Sequence, residues 1–158
     1  MDFTDLRLKQ LLDYWQRKRA GRKFPLRADI DPLELRFILG NLVLVDVVPG
    51  QVLRFRYRIW GSTLVEFSGV DMTGRHVDEI TPAELARLAQ QAYVKVTETG
   101  LPDHWQFNHI FDDRWFIHER LLLPLGTDQA PDKVGMILGG LCQTPTENPP
   151  DPAQAVRS

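Results

Sequence analysis

Two polar side chains, His109 and Glu119, lie among apolar residues in the predicted strands 104–111 and 115–123. Successive side chains of a strand point to opposite faces, so each of the two shares its face with apolar neighbours. These neighbours are Trp105, Phe107, Phe111, Trp115, Ile117 and Leu121. An apolar pocket with a few polar groups is typical of a small-molecule site. With Tyr57 from an earlier strand, the predicted ligand-binding residues are His109, Glu119, Tyr57, Phe107 and Trp105.

Other arrangements of this region are open. His109 and Glu119 could pair with each other or with the backbone, since buried polar groups need hydrogen bonds. They could also act as an acid–base pair in an enzyme. A two-residue turn at Asp112 and Asp113 would instead shift the strand pairing. In that case Phe116, His118 and Arg120 would face the interior.

The rest of the sequence lacks a catalytic constellation. It has no Ser-His-Asp spacing signal, no nucleophile elbow and no cluster of metal ligands. No histidine pair has the HxxxH spacing of a helical zinc site. We therefore predict that the chain is not an enzyme and binds no metal. A small α+β enzyme of the hot-dog type, acting on a small acyl substrate, is the alternative, although Pro25 and Pro32 interrupt the long central helix that this fold needs.

Composition narrows the class of protein further. The chain has 158 residues, 43% of them hydrophobic and 25% charged, which suits one globular domain. The net charge of −2 argues against a nucleic-acid partner. The charged start differs from a signal peptide, and the most apolar stretch, 37–48, is too short to span a membrane. We expect a cytoplasmic protein without a membrane or nucleic-acid partner.

The region 4–20 has the pattern of an amphipathic helix. Leu8, Leu11, Leu12 and Trp15 fall on one face at helical spacing. This apolar stripe must be covered, either by the sheet of the same chain or by a second copy. These four residues are therefore the candidate interface of the homodimer that we expect.

Strands 42–48 and 52–60 are predicted to form a hairpin, because the second alternates arginines with apolar residues. A three-residue loop at 49–51 would pair Val48 with Val52. The same register sets Val45 against Phe55 and Asp46 against Arg54, which makes both faces chemically consistent.

The remaining elements follow from their capping and turn residues. Asp31 is a predicted helix cap, and 63–66 fits a capping box. In chain order we predict short helices at 31–40 and 63–69, a longer helix at 81–100, and strands at 104–111, 115–123 and 133–142. The chain then divides into an N-terminal helix with its loop (1–30), a domain (31–142) and a proline-rich disordered tail (143–158).

This order of elements resembles a PAS domain, in particular the small single-domain PAS-like proteins of alphaproteobacteria. The resemblance rests on Trp15, PLRADIDP at 25–32, FRYRIWG at 55–61, GVDMTG at 69–74 and LLPL at 122–125. It implies an α+β fold with a five-stranded antiparallel sheet and flanking helices around a small cavity. It also implies a stand-alone sensory or interaction module, which would signal through an unknown protein partner or a homodimer.

The resemblance leaves the cofactor unknown. Flavin photosensors of the PAS type need a cysteine on the short helix after the second strand, whereas the single cysteine here, Cys142, is on the last strand. A haem-binding PAS sensor is a further alternative, since haem iron needs an axial ligand. His76 lies in the region where such a ligand would be required.

Overall fold

The computed structural model describes residues 1–147 and 155–157, apart from the side chains of residues 109, 111 and 155–157. Within these residues the chain forms three α-helices and six strands, connected in part by short 3-10 turns. The elements are α1 (Leu6–Arg19), β1 (Leu42–Val48), β2 (Arg54–Trp60), α2 (Ser62–Ser68), α3 (Ala83–Thr99), β3 (Asp103–Phe111), β4 (Arg114–Leu125), β5 (Met136–Pro145) and β6 (Ala155–Arg157).

All strands belong to one sheet with the order β2-β1-β5-β4-β3-β6. The first five are antiparallel to their neighbours, and the short β6 runs parallel to β3. The predicted α+β class with a five-stranded antiparallel sheet is confirmed. The described elements do not include the long central helix of a hot-dog fold, so the fold of that alternative was wrong.

Both faces of the sheet are covered. On one face, α1 and the 3-10 turns pack against Leu44, Leu123 and Leu138. On the other, α2 and α3 pack against alternate residues of the same strands, among them Val45 and Ile137. Strands that are buried on both faces have continuous apolar sequences. This explains why β1 and the second half of β4 show no polar alternation, whereas the edge strand β2 alternates.

The apolar stripe of α1 is buried within the chain itself. Leu8 and Leu11 are 0% exposed and Trp15 is 3% exposed, and Leu12 packs partly buried against the same cluster. Trp15 also donates a hydrogen bond from Nε1 to the carbonyl oxygen of Pro124 (2.8 Å). The predicted dimer interface is therefore corrected for Leu8, Leu11 and Trp15, because the chain's own sheet buries them, and the homodimer itself stays a prediction.

The predicted hairpin exists, but its register was wrong by two residues. Val48 lies opposite Arg54 and Val45 opposite Tyr57, so the loop covers 49–53. A shift of two residues leaves the side chains from Arg54 to Tyr57 on their predicted faces, whereas a further shift between Leu44 and Val45 changes the pairing of Ile59 and Trp60. The charged pairs change with the register: Arg58 donates to Asp46 (3.1 Å).

Three local predictions also need correction or completion. Asp31 accepts a hydrogen bond from the Leu33 backbone (2.9 Å) as a cap, but it starts a 3-10 turn, Pro32–Leu35, and not an α-helix. The capping box at 63–66 was wrong, because α2 already begins at Ser62. Within the predicted tail 143–158, the first residues continue β5 and 155–157 form β6, while 148–154 and 158 lie outside the described residues.

Candidate ligand-binding cavity

A cavity of about 350 Å³ lies between the sheet and the helices α2 and α3. This volume is at the lower end of the range of about 300–1,000 Å³ for small-molecule sites. Its lining contains six aromatic residues: Tyr57, Trp60, Phe67, Tyr93, Trp105 and Phe107. The polar and charged residues of the lining include Arg75, Glu79, His118, Arg120 and Gln143. The cavity is thus mainly apolar with a few polar groups.

The turn between β3 and β4 decides which residues face this cavity. Asp112 and Asp113 form a two-residue turn, and both have positive φ angles (51° and 55°). Two-residue hairpin turns of this kind match the twist of the strands, and aspartate tolerates the left-handed conformation. Phe107 consequently lies opposite His118, and Trp105 opposite Arg120. The two-residue-turn alternative from the sequence is the one that the structure adopts.

The predicted site residues therefore separate into three groups. Tyr57, Trp105 and Phe107 line the cavity. Glu119 lies on the opposite face of β4, so the prediction that it lines the cavity was wrong. Because of the two-residue turn, its neighbours His118 and Arg120 line the cavity instead. The side chain of His109 lies outside what the structure describes, and its backbone pairs with Phe116.

Sequence reasoning missed Trp60 and Gln143 and kept His118 and Arg120 only as an alternative. Trp60 follows the alternating pattern of β2 and would have been assigned to the arginine face. The structure shows a shift of register between Leu44 and Val45, opposite this end of β2, and Trp60 lines the cavity beyond it. A bulge of this kind re-aims the side chains that follow it. Sequence alternation alone carries no signal for it.

Three buried polar atoms of the described side chains have no hydrogen-bond partner: Trp60 Nε1, Arg120 Nε and Gln143 Oε1. All three residues line the cavity. An unpaired buried polar atom costs about 1–3 kcal/mol, and native proteins contain few of them. Two donors and one acceptor are therefore offered to an occupant of the cavity. The other amide atom of Gln143, Nε2, is hydrogen-bonded to His118 Nδ1.

Arg120 is 8% exposed and shares its counter-ion with another cation. Its Nη2 is 3.4 Å from Asp103 Oδ2, while Lys95 Nζ is 2.8 Å from Asp103 Oδ1. The guanidinium carbon lies 4.7 Å from the centre of the Trp105 ring, within the range of a cation–π contact. The plane of Trp105 and the partial ion pair together position a positive charge at the cavity wall.

Two tyrosines form another polar contact at the cavity. The hydroxyl oxygens of Tyr57 and Tyr93 are 3.3 Å apart, and both rings are buried. Burial raises the pKa of both hydroxyls, that of Tyr57 well above its ordinary value. Both side chains are therefore neutral at physiological pH, and this part of the wall carries no charge.

A model of the PAS domain family matches residues 4–142. The chain belongs to the PAS domain family. PAS domains are sensory domains and are generally not enzymes. A comparison with curated protein sequences found no match.

Three of the solved structures to which this PAS domain is similar are two light-oxygen-voltage structures and one complex of a protein with ligand and DNA. A light-oxygen-voltage (LOV) domain studied with a flavin analogue has 17% identity and a TM-score of 0.51, over 73% of this chain and 84% of that chain. VqmA of Vibrio cholerae, in a complex with ligand and DNA, has 18% identity and a TM-score of 0.50, over 72% of this chain and 51% of that chain. The Rhodobacter sphaeroides LOV protein has 18% identity and a TM-score of 0.46, over 71% of this chain and 67% of that chain. The first two likenesses establish a shared fold.

The cysteine and histidine considered for cofactors lie away from the lining of the PAS cavity. Cys142 is buried on the face of the sheet that α1 covers, which agrees with the expectation that no cysteine is placed for a flavin adduct. His76 Nδ1 lies 3.6 Å from Glu79 Oε2, and His76 is not among the lining residues.

Within residues 1–147 and 155–157, no group of three acidic, histidine or cysteine side chains could hold a metal ion. No helix in these residues is long and apolar enough to span a membrane.

The Cys142 thiol should resist modification in the folded PAS domain. Burial, and secondly the charge of Asp5, raise its pKa to about 12. The reactive species is the thiolate, which is therefore scarce at pH 8. We expect less than about a tenth of folded chains to react with Ellman's reagent during the time in which urea-unfolded chains react fully. Equal rates in both conditions would show that the thiol is accessible.

Proposed function

We propose that this PAS domain is a sensory module that binds a small, largely apolar molecule between its sheet and the helices α2 and α3. The observation that carries the proposal is the coincidence of three unpaired buried polar atoms with one aromatic cavity. A ligand with matching polar groups would satisfy these atoms and cover the exposed parts of the aromatic rings. The new hydrogen bonds and the burial of apolar surface both lower the free energy of the complex and so favour binding.

Strand β4 offers a route from the cavity to the rest of the molecule. Arg120 and His118 face the cavity, while Glu119 between them faces the N-terminal segment. A ligand that moves Arg120 would therefore act on the strand that holds this segment. We propose that the output reaches a protein partner or a second copy through the N-terminal segment and the exposed surface around it. The buried stripe of α1 stays within the fold.

The first test is native mass spectrometry of the full chain purified from its own host, combined with a thermal-shift screen of small molecules. We expect a bound molecule that denaturation releases, or compounds that raise the melting temperature. Ala89 lines the cavity on α3, and Ala89→Phe fills part of the space. This variant should bind such compounds at least about tenfold more weakly, since overfilled sites exclude ligands.

The matched control places the same side chain on the exposed start of the same helix. Ala83→Phe should leave binding unchanged, because Ala83 is exposed and lies outside the lining. Equal binding by wild type and Ala89→Phe would place the ligand elsewhere. An apo mass together with no stabilising compound would contradict the proposal and favour a module that binds only proteins.

A further inference from the structure

We infer that the ligand is an aromatic carboxylate, held through its carboxylate by Arg120. This inference rests on the proposed function and adds the chemical class of the ligand. Among the described residues that line the cavity, Arg120 is the buried side chain with a permanent charge. Two further lining residues, Arg75 and Glu79, are exposed, and Glu79 accepts a hydrogen bond from the backbone of His76 (2.6 Å).

The charges around Arg120 leave room for one more anion. Among the described residues, Asp103 is its single acidic contact, and that carboxylate lies closer to Lys95 (2.8 Å) than to Arg120 (3.4 Å). Lys95 is exposed to solvent whereas Arg120 is buried, so the charge that this shared carboxylate leaves incompletely compensated is that of Arg120. A buried cation with incomplete compensation is unfavourable, and a bound anion relieves it. The unpaired Nε of Arg120 is a donor at the same place.

The chemistry of guanidinium favours a carboxylate. Its planar fork donates two parallel N–H groups, which match the two oxygens of a carboxylate. The contact with Trp105 at 4.7 Å restricts the orientation of this plane. A phosphate dianion would require more buried cations than the described lining supplies. A monoanion suits one arginine that is partly compensated by Asp103.

The remainder of the lining favours an aromatic ring with a hydrogen-bond donor. Tyr57 and Trp60 meet edge to face with their ring centres 4.9 Å apart, and Trp105 and Phe107 are 4.6 Å apart. Aromatic walls prefer aromatic occupants in such tilted or offset contacts. Gln143 Oε1, an acceptor without a partner, would receive an N–H or O–H of the ring. Indole and phenol rings supply such a donor.

The experiment compares acids with neutral amides of the same shape. Indole-3-carboxylate is paired with indole-3-carboxamide, and 4-hydroxybenzoate with 4-hydroxybenzamide, in calorimetric titrations of the full chain at pH 7.5. We expect each acid to bind at least about tenfold more tightly than its amide, the size of one charge-assisted hydrogen-bonded pair. Arg120→Gln should abolish this preference and leave the affinity for the amides within about threefold.

Two variants serve as controls. Arg56→Gln removes the same charge at an exposed position of β2 outside the lining and should keep the preference for acids. Arg120→Lys keeps the charge without the planar fork and should retain part of the preference. Thermal unfolding of each variant verifies that it is folded.

The outcomes separate this inference from the proposed function. If acids and amides bind equally, or if Arg120→Gln keeps the preference, the inference is overturned while ligand binding stands. If none of the four compounds binds but a molecule co-purifies, a neutral molecule overturns the inference and an aromatic acid supports it. If nothing binds in any assay, the inference and the proposed function both fail.

Discussion

Replacing Glu119 by leucine is expected to lower the free energy of unfolding by about 3–5 kcal/mol. The carboxylate is 0% exposed and accepts four hydrogen bonds. Two come from the backbone nitrogens of Thr4 (3.1 Å) and Asp5 (2.8 Å), and two from Gln106 Nε2 (2.9 Å) and His104 Nε2 (2.7 Å). Leucine would remove the charged acceptor of these part-buried donors, and a hydrogen bond to a charged group contributes about 1.5–3 kcal/mol.

Urea unfolding followed by circular dichroism measures this loss. Glu119→Gln retains one acceptor oxygen and should fall between leucine and wild type. Glu98→Gln makes the same change at an exposed position of α3 and should stay within about 0.5 kcal/mol of wild type. A loss below about 1 kcal/mol for Glu119→Leu would mean that water replaces the carboxylate without penalty.

The same contacts predict how stability depends on pH. Burial alone would raise the pKa of Glu119, but the hydrogen bonds from Gln106, His104 and the two backbone amides outweigh it and lower the pKa. A carboxyl group with a lowered pKa in the folded state stabilises the fold above its ordinary pKa. This contribution is lost as the pH falls through the lower, folded-state pKa. Stability of the wild type should therefore fall more steeply on acidification than that of Glu119→Leu.

The assignment of residues to the cavity depended on one turn that the sequence left open. A turn one residue longer exchanges the two faces of β4 relative to β3, because side chains alternate. The first half of β4 has polar and apolar residues on both faces, so hydrophobicity does not choose between Glu119 and Arg120. The positive φ angles of Asp112 and Asp113 decide in favour of Arg120.

In the hairpin β1–β2, by contrast, the sequence predicted the inward face but not the strand pairing. Its register was wrong by two residues, yet the inward face of β2, with Phe55 and Tyr57, was predicted correctly. The alternation of arginine and apolar residues fixes the face but not the pairing. Loop length sets the pairing, and the five residues 49–53 contain no signal that distinguishes three loop residues from five.

The burial of α1 could have been predicted from the central strands. β1, the second half of β4 and β5 are apolar on both faces, which requires a covering layer on each side. Helix α3 can cover one side, so the stripe of α1 is required on the other. Gly140 permits this approach, since a Cβ there would lie 2.6 Å from Leu8 Cδ2. A homodimer formed through this stripe would thus leave one face of its own sheet uncovered.

Gly61→Ala is expected to destabilise the domain by about 3 kcal/mol or more, at the upper end for overpacking. A Cβ at Gly61 would lie 2.5 Å from the carbonyl carbon of Gly40 and closer still to its oxygen. On the other side it would be 3.0 Å from the carbonyl oxygen of Leu42, which accepts a hydrogen bond from the Gly61 nitrogen (2.9 Å). These backbone atoms cannot rotate away as a side chain would.

Gly50→Ala is the matched control, because a Cβ there meets only the carbonyl oxygen of Val52 at 3.5 Å, an ordinary contact. It should change the free energy of unfolding in urea by less than about 0.5 kcal/mol.

Gly61 has a φ of −61°, which alanine adopts readily, so backbone strain cannot explain a loss of stability at this position. The loss would come from separating the 3-10 turn at Gly40 from the start of α2. Trp60 and Leu64 flank Gly61 and line the cavity, so ligand affinity should fall together with stability. Wild-type stability in Gly61→Ala would show that this junction can open without cost.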